Sequence, residues 1–140
     1  MVTFDVSWFA VIVAAIAGMI VGFAWYSKSM FGAQWAKEMG WSMSDMEKKM
    51  KDGGMGKTMT INFIFTIIMA FVLANTLSLA GAAAIGTAAV AGFWIWLGFI
   101  LPLLVGQMLW EGKSQRLLTI NASYWLVSIV IMSAVIALLS

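Results

Sequence analysis

The sequence predicts an all-α membrane protein with four transmembrane helices. These form two pseudo-repeated hairpins, with a cytoplasmic amphipathic helical insert between helices 1 and 2. Composition is the first reason: 63% of the 140 residues are hydrophobic and only 10% are charged. Soluble domains carry about a quarter charged residues, and a domain this small could not bury so much apolar surface. The other two reasons are four long apolar runs and basic residues confined to two segments.

Each apolar run is long enough to cross a bilayer, which takes about 20 residues of helix. The runs cover about residues 6–26, 58–79, 87–110 and 117–139, within a single membrane domain of residues 1–140. None has a charge in its interior, and lipid cannot satisfy free backbone groups, so each run is predicted to be helical. The first run is interpreted as a membrane helix rather than a signal peptide, because Asp5 stands where a basic region would be needed.

The basic residues predict the orientation. One group is Lys28, Lys37, Lys48, Lys49, Lys51 and Lys57, and the other is Lys113 and Arg116. The positive-inside rule assigns both groups to the cytoplasm. We therefore expect a multi-pass protein of the cell (inner or plasma) membrane, with both termini outside and loop 27–57 cytoplasmic.

The loop carries signals of its own. Ser44 and Glu47 match a capping box that would start a short helix over residues 45–52, which Gly53-Gly54 would end. A stripe at three- and four-residue steps predicts an amphipathic segment on the inner leaflet. Its members are Phe31, Trp35, Met39, Met43, Met46 and Met50.

No cofactor and no metal is predicted. The four loop methionines could offer sulfur to Cu(I), but the chain has neither Cys nor His, and apolar packing explains them as well. The run from Gly53 to Thr58 looks like the end of a phosphate-binding loop. Lys51 stands where that motif needs Gly, and no strand precedes it.

The two halves of the chain resemble each other. Val21-Gly22, Trp25 and Lys28-Ser29 close run one, and Val105-Gly106, Trp110 and Lys113-Ser114 close run three. Thr60-Ile61-Asn62 opens run two, and Thr119-Ile120-Asn121 opens run four. Both halves run in the same sense, which implies a pseudo-two-fold axis along the membrane normal.

Small residues every four positions predict a helix-packing seam in run one, at Ala10, Ala14, Gly18 and Gly22. The seam could lie within the chain or between subunits, and we expect a homo-oligomer through it. Run two offers a matching face of Asn62, Thr66, Ala70, Ala74 and Ser78. In run three, Gly98, Pro102 and Gly106 share a stripe, and Pro102 should kink the helix.

Polar residues gather toward the inner side of the predicted membrane. They are Tyr26, Asn62, Gln107, Glu111, Asn121 and Tyr124. Two explanations stay open. These residues could form interhelical hydrogen bonds, worth only about 0.6 kcal/mol each on average, or they could line a small vestibule open to the cytoplasm with Glu111 as its acid.

The run from Gly22 to Ser27 (GFAWYS), with Phe31-Gly32 and Trp35 after it, resembles the signature of the DUF1761 family of small four-span prokaryotic membrane proteins. Its signature aromatics are Trp25, Tyr26, Phe31 and Trp35. Trp110 and the Asn121–Tyr124 pair also resemble the family pattern, and the likeness covers essentially the whole chain. Lys28 departs from it, since Pro is expected there. The resemblance implies a four-helix membrane domain and no activity.

Three classes of function remain. The first is a non-catalytic subunit or an assembly or lipid-binding protein, with membrane lipids, a larger membrane complex or further copies of itself as partners, and no nucleic acid. The second is a small oligomeric transporter or channel with the vestibule facing the cytoplasm. The third, an enzyme, is disfavoured, because the sequence has no His, no Cys and no acid pair within the membrane; a lipid-modifying enzyme using Glu111 with Tyr26 or Tyr124 stays open.

Overall fold

The computed structural model describes residues 6–27, 29–42, 44, 45, 48 and 54–140. Its helices are α1 (Trp8–Trp25), α2 (Gly32–Glu38), α3 (Gly54–Leu79), α4 (Ile85–Glu111) and α5 (Gln115–Leu139). Ser44, Asp45 and Lys48 are also helical, and no β-strand occurs among the described residues. Helices α1, α3, α4 and α5 are each long and apolar enough to span a membrane. This confirms the prediction of a helical chain with four apolar helices of membrane-spanning length, over the residues that the structure describes.

Helix ends follow local capping chemistry. Ser7 accepts a hydrogen bond from the N–H of Ala10 at 3.2 Å and starts α1, and Ser114 accepts from the N–H of Leu117 at 3.1 Å and starts α5. Gly112 ends α4 in the left-handed region, at φ 69°. Helix α3 begins at Gly54, four residues before the predicted start of the second run.

Helices α1 and α5 are the central pair of the bundle, with α3 packed on α1 and α4 packed on α5. Neighbours run antiparallel, as shown by Trp8 stacking on Phe71 at 5.3 Å and by Trp25 bonding to Ile120. The buried core lies in the half of the bundle where α1 begins and α5 ends. It consists of Val11, Ala14, Ala15, Ala70, Leu73, Ala74, Leu77, Ala82, Ala88, Ile129, Met132 and Ile136.

The small-residue stripe of α1 packs against α5 within the chain. Ala10 and Ala14 are fully buried. A Cβ at Gly18 would lie 3.0 Å from the sulfur of Met132, and one at Gly22 would lie 3.2 Å from the hydroxyl of Tyr124. Because α5 already covers this face, the oligomer that we expected through it would have to displace a helix of the same chain.

The face predicted on α3 is only partly packed. Ala70 and Ala74 are buried, whereas Ser78 is exposed. The side-chain nitrogen of Asn62 lies 3.4 Å from the sulfur of Met19 on α1. Asn62 itself is exposed, so the predicted face is buried only at its middle, at Ala70 and Ala74.

Helix α4 departs from regular geometry at the place where proline was expected to disturb it. A π-helical turn spans Trp96–Ile100, and Pro102 follows in the first turn of the regular helix Leu101–Glu111. Throughout this described half of α4, no side chain is buried. A Cβ at Gly98 or Gly106 would meet no described atom within 4 Å, so the stripe predicted there is not a seam within the chain.

The packing does not follow the sequence repeat. A two-fold axis relating the hairpins would match the α1–α5 seam with an α3–α4 seam. Over their described lengths α3 and α4 form no comparable contact, and an apolar groove of about 520 Å³ lies between them. Its walls include Phe65 and Val72 from α3 and Phe99 from α4.

Candidate functional site

One end of the bundle carries all the charged residues that the structure describes, and we call it the charged end. These residues are Lys37, Glu38, Asp45, Lys48, Lys57, Glu111, Lys113 and Arg116. They come together because α1 and α4 finish at this end while α3 and α5 start there. Asp5, Lys28, Lys49, Lys51 and Gly53 lie outside the described residues.

Helix α2 folds back onto the charged end. Gly32 and Ala36 are buried, and the N–H of Gly32 donates to the carbonyl oxygen of Ser27 at 2.9 Å. A Cβ at Gly32 would collide with the carbonyl oxygens of Tyr26 and Ser27. Only glycine fits this turn, which docks α2 against the start of α5 rather than leaving it apart on the membrane surface.

The four signature aromatics form one cluster between α1, α2 and α5. The rings of Trp25 and Phe31 lie 5.0 Å apart, and those of Tyr26 and Trp35 meet edge to face at 5.9 Å. The indole N–H of Trp25 donates to the carbonyl oxygen of Ile120 at 3.1 Å. These contacts tie the end of α1 and the helix α2 to α5.

Tyr26 and Asn121 form the central polar contact. The Tyr26 hydroxyl donates to Oδ1 of Asn121 at 2.7 Å, and the ring of Tyr26 lies 5.2 Å from that of Tyr124. The contact is half-buried and joins α1 to α5. It is a hydrogen bond of the interhelical kind that the sequence left open.

A cavity of about 280 Å³ lies on one side of this contact, between α2, α4 and α5, and we call it the α4 cavity. It is lined by Trp35, Met39, Leu104, Gln107, Met108, Glu111, Lys113, Leu117 and Asn121. Apolar side chains form most of the wall, the charged Glu111 and Lys113 stand at its charged end, and the amides of Gln107 and Asn121 lie further in.

A second cavity of about 250 Å³ lies on the other side, between α1, α3 and α5, and we call it the α3 cavity. It is lined by Met19, Gly22, Phe23, Tyr26, Met59, Asn62, Tyr124 and Trp125. The six residues predicted to share a vestibule are thus divided: Gln107, Glu111 and Asn121 line the α4 cavity, and Tyr26, Asn62 and Tyr124 line the α3 cavity. The physical reason is the Tyr26–Asn121 hydrogen bond, which stands between them.

Glu38 is a site residue that sequence reasoning missed. Its carboxylate accepts a hydrogen bond from the Ser114 hydroxyl at 2.6 Å and lies 3.9 Å from the guanidinium of Arg116. The Glu38 side chain is 19% exposed, whereas Glu111, the acid chosen from the sequence, is exposed at the cavity rim. The sole signal in the sequence was the position of Glu38 one helical turn after Trp35.

Other polar contacts inside the bundle were also missed. The indole N–H of Trp96 donates to the carbonyl oxygen of Ala122 at 2.9 Å, next to the π-helical turn. Asn75, Ser128 and Ser133 are buried polar residues. The Trp96 contact joins α4 to α5, whereas Ser128 and Ser133 bond within α5; neither kind of contact leaves a pattern in hydropathy.

The helical segment after α2 is capped two residues earlier than predicted. The N–H of Asp45 donates to the Ser42 hydroxyl at 3.2 Å, and the N–H of Ser42 donates to the Asp45 carboxylate at 3.1 Å. This is a reciprocal capping box of Ser42 and Asp45. The backbone and side-chain hydrogen bonds from Ser42 lower the pKa of the Asp45 carboxyl. Of the predicted Ser44–Glu47 box, Glu47 lies outside the described residues.

The predicted methionine stripe is described only in part. Met39 lines the α4 cavity, while Met43, Met46 and Met50 lie outside the described residues. Among the residues that are described, no group of three or more His, Cys, Asp or Glu side chains could hold a metal ion.

Residues 9–137 match the model of a family described as a protein of unknown function, DUF1761. The chain belongs to the DUF1761 family. The match covers nearly the whole chain and confirms the resemblance that the aromatic signature indicated. Neither curated proteins nor solved structures yield a match to this DUF1761 protein.

Proposed function

We propose that this DUF1761 protein is a non-catalytic membrane protein that binds a lipid in the α4 cavity and serves as a subunit or assembly factor of a larger membrane complex. The observation that carries the proposal is the chemistry of that cavity. Leu104, Met108 and Leu117 offer apolar walls, and Gln107 and Glu111 stand at the charged end. A site with an apolar body and polar groups at one end suits an amphiphile.

The loose packing around the cavity supports access from the membrane. Its outer wall is the half of α4 in which the structure describes every residue and buries none. A lipid could therefore enter laterally, between α4 and α2, without unfolding a packed helix pair. A catalytic role has less support, since the sequence has no His and no Cys to act as base or nucleophile.

Filling the cavity tests the proposal. Leu104→Trp puts a large ring into the lining, while Leu103→Trp, one residue earlier and exposed on the other side of α4, is its matched control. Native mass spectrometry of the purified protein counts the lipids that stay bound. We expect the wild type and Leu103→Trp to retain lipid and Leu104→Trp to lose it. Equal retention by both variants would remove the α4 cavity as the site.

The orientation is part of the proposal. We propose that the charged end faces the cytoplasm and both termini face outward in the cell membrane, because basic residues are retained on the cytoplasmic side. The chain lacks Cys, so single cysteines are clean probes. An impermeant thiol reagent should label Ala83→Cys in intact cells and Lys113→Cys only after lysis. The reverse pattern would invert the topology.

Transport is the second candidate, favoured by the two cavities that share the Tyr26–Asn121 contact as their partition. Breaking that partition with Tyr26→Ala would join them into one cytoplasm-facing vestibule. If the protein is a transporter or channel, this variant should change solute flux in proteoliposomes relative to wild type. If the wild type and Tyr26→Ala give the same solute flux, the transport candidate fails and only the lipid-binding proposal is left.

We also propose a homo-oligomer or a partner subunit on the exposed face of α4, since the seam of α1 is occupied within the chain. That face presents Phe99, Leu103 and Trp110 as well as the uncovered Gly98 and Gly106. Disulfide crosslinking of Gly106→Cys in membranes tests it, with Ile20→Cys on exposed α1 as control. A crosslinked dimer or adduct is expected for Gly106→Cys alone.

We also propose that the two hairpins arose by duplication and that residues 27–57 are a cytoplasmic insert in the first of them. Sequence matches such as Asn62 with Asn121 support a common origin. Their different partners, Met19 for Asn62 and Tyr26 for Asn121, would then reflect divergence after duplication.

A further inference from the structure

We infer that the α4 cavity selects a phospholipid with a phosphoethanolamine headgroup, that is, a phosphate and a primary ammonium joined by a short linker. The inference rests on the proposed lipid-binding function and adds the identity of the headgroup. Its basis is the pair of opposite charges at the cavity rim, Glu111 and Lys113, together with the amides of Gln107 and Asn121.

The two rim charges are free to take a ligand. Gly112 separates them and, at φ 69°, turns the chain sharply between α4 and α5. In the described part of the chain no ion pair joins Glu111 or Lys113 to another residue; the ion pair found there is that of Arg116 with Glu38. A cation and an anion that line the same cavity match a zwitterion.

The amides add donors on the phosphate side. Oδ1 of Asn121 is already occupied by the Tyr26 hydroxyl, so its NH₂ group is directed away from Tyr26. Asn121 lines the α4 cavity, which Tyr26 does not. Amide and ammonium N–H groups are strong donors to phosphate oxygens. Asn121 and Lys113 therefore suit the phosphate of the headgroup.

The ammonium has its own partners. The Glu111 carboxylate can accept charge-assisted hydrogen bonds from a primary ammonium, and the same cavity is lined by Trp35, an aromatic residue of the kind that attracts cations. A choline headgroup has a cation but no N–H to donate, and a glycerol headgroup has no cation at all. The site should therefore distinguish three lipids that share the same phosphate.

The test compares phosphatidylethanolamine, phosphatidylcholine and phosphatidylglycerol with identical acyl chains, titrated into the delipidated full-length protein and followed by native mass spectrometry. We expect the ethanolamine lipid to bind about tenfold more tightly than the other two, as fits loss of a charged hydrogen bond. Because this comparison uses the unaltered protein, it does not depend on a variant folding.

Two variants then test the role of each rim charge in lipid binding. Glu111→Gln should remove the preference for ethanolamine over choline, and Lys113→Gln should weaken all three lipids together. Asp45→Asn and Lys57→Gln, which remove exposed charges of the same sign outside the cavity, are the matched controls and should change nothing. A preference that persists in Glu111→Gln would overturn the inference.

The measurements distinguish failure of the headgroup inference from failure of the lipid-binding proposal. Equal affinity for the three lipids would end the headgroup inference and keep lipid binding. No binding of any lipid would end both. Free O-phosphoethanolamine competing as strongly as the lipid would replace the membrane lipid by a soluble ligand and would also overturn the inference.

Discussion

The α1–α5 seam and the Leu101–Glu111 half of α4 have similar sequences and opposite packing. Both are apolar, and Gly106 continues a stripe with Gly98 and Pro102 at the four-residue spacing that the small residues of α1 also have. In the seam, Gly18 brings α1 against Met132 of α5. In α4, no described atom would lie within 4 Å of a Cβ at Gly106. Small-residue spacing therefore marks a helix face that can pack closely, and the partner helix decides whether it does.

The π-helical turn accounts for much of the difference. Trp96, the first residue of the π-helical turn, bonds to the carbonyl oxygen of Ala122, and Pro102 then lacks the N–H that would continue the ladder. Beyond these residues α4 runs along the bundle without burying a side chain over its described length. The α4 cavity is a consequence of this departure.

The largest effect is expected when a glycine is replaced by leucine in the α1–α5 seam and, separately, in the Leu101–Glu111 half of α4. Gly18→Leu would drive a side chain into Met132 and Ser128, and overpacking of this kind costs about 1–3 kcal/mol. Gly106→Leu meets open space, and replacing a helical Gly gains up to about 1 kcal/mol of propensity. Thermal unfolding in detergent should show a lowered Tm for Gly18→Leu alone. Equal Tm values would mean that α1 does not pack on α5 in this way.

The second test uses two tryptophans that the sequence repeat equates. Trp25 donates to the carbonyl of Ile120, whereas Trp110 is 92% exposed. Trp25→Phe should lower the free energy of unfolding by about 1 kcal/mol through the lost hydrogen bond, and Trp110→Phe should leave it unchanged. Equal losses measured by denaturant titration would show that the two halves of the chain pack alike.

The four spans could be predicted because lipid imposes length and hydropathy on each of them separately. The docking of α2 could not, since it depends on a turn at Gly32 that only the neighbouring carbonyl oxygens explain. Glu38 was overlooked for the same reason: its partner Ser114 is distant in sequence. Depth in the membrane placed the six polar residues toward one end, but it could not show that Tyr26 and Asn121 divide them into two cavities.

A third test measures how much that division stabilises the fold. Tyr26→Phe removes the hydroxyl that bonds to Asn121, and such bonds inside membranes average about 0.6 kcal/mol. Asn121→Leu and the double variant complete a cycle, which isolates the pair from other effects. We expect a coupling energy of about 0.6 kcal/mol from Tm or denaturant data. A value near zero would mean that the contact positions the cavity walls without stabilising the bundle.

The smallest expected effect concerns the ion pair that links α2 to α5. Arg116 lies 3.9 Å from Glu38 with its side chain 67% exposed, and exposed pairs contribute about 0–1 kcal/mol. Arg116→Gln should therefore shift Tm little, and the shift should vanish at high salt because screening removes surface attraction.

Glu38→Gln should cost more than Arg116→Gln, because it also weakens the 2.6 Å hydrogen bond from Ser114, the residue that caps α5. If Arg116→Gln were the more damaging change, the ion pair would hold α2 in place. The opposite order would assign that role to the buried Ala36 and the Ser114 contact. In that case α2 is attached to the bundle by packing, like the α1–α5 seam and unlike the Leu101–Glu111 half of α4.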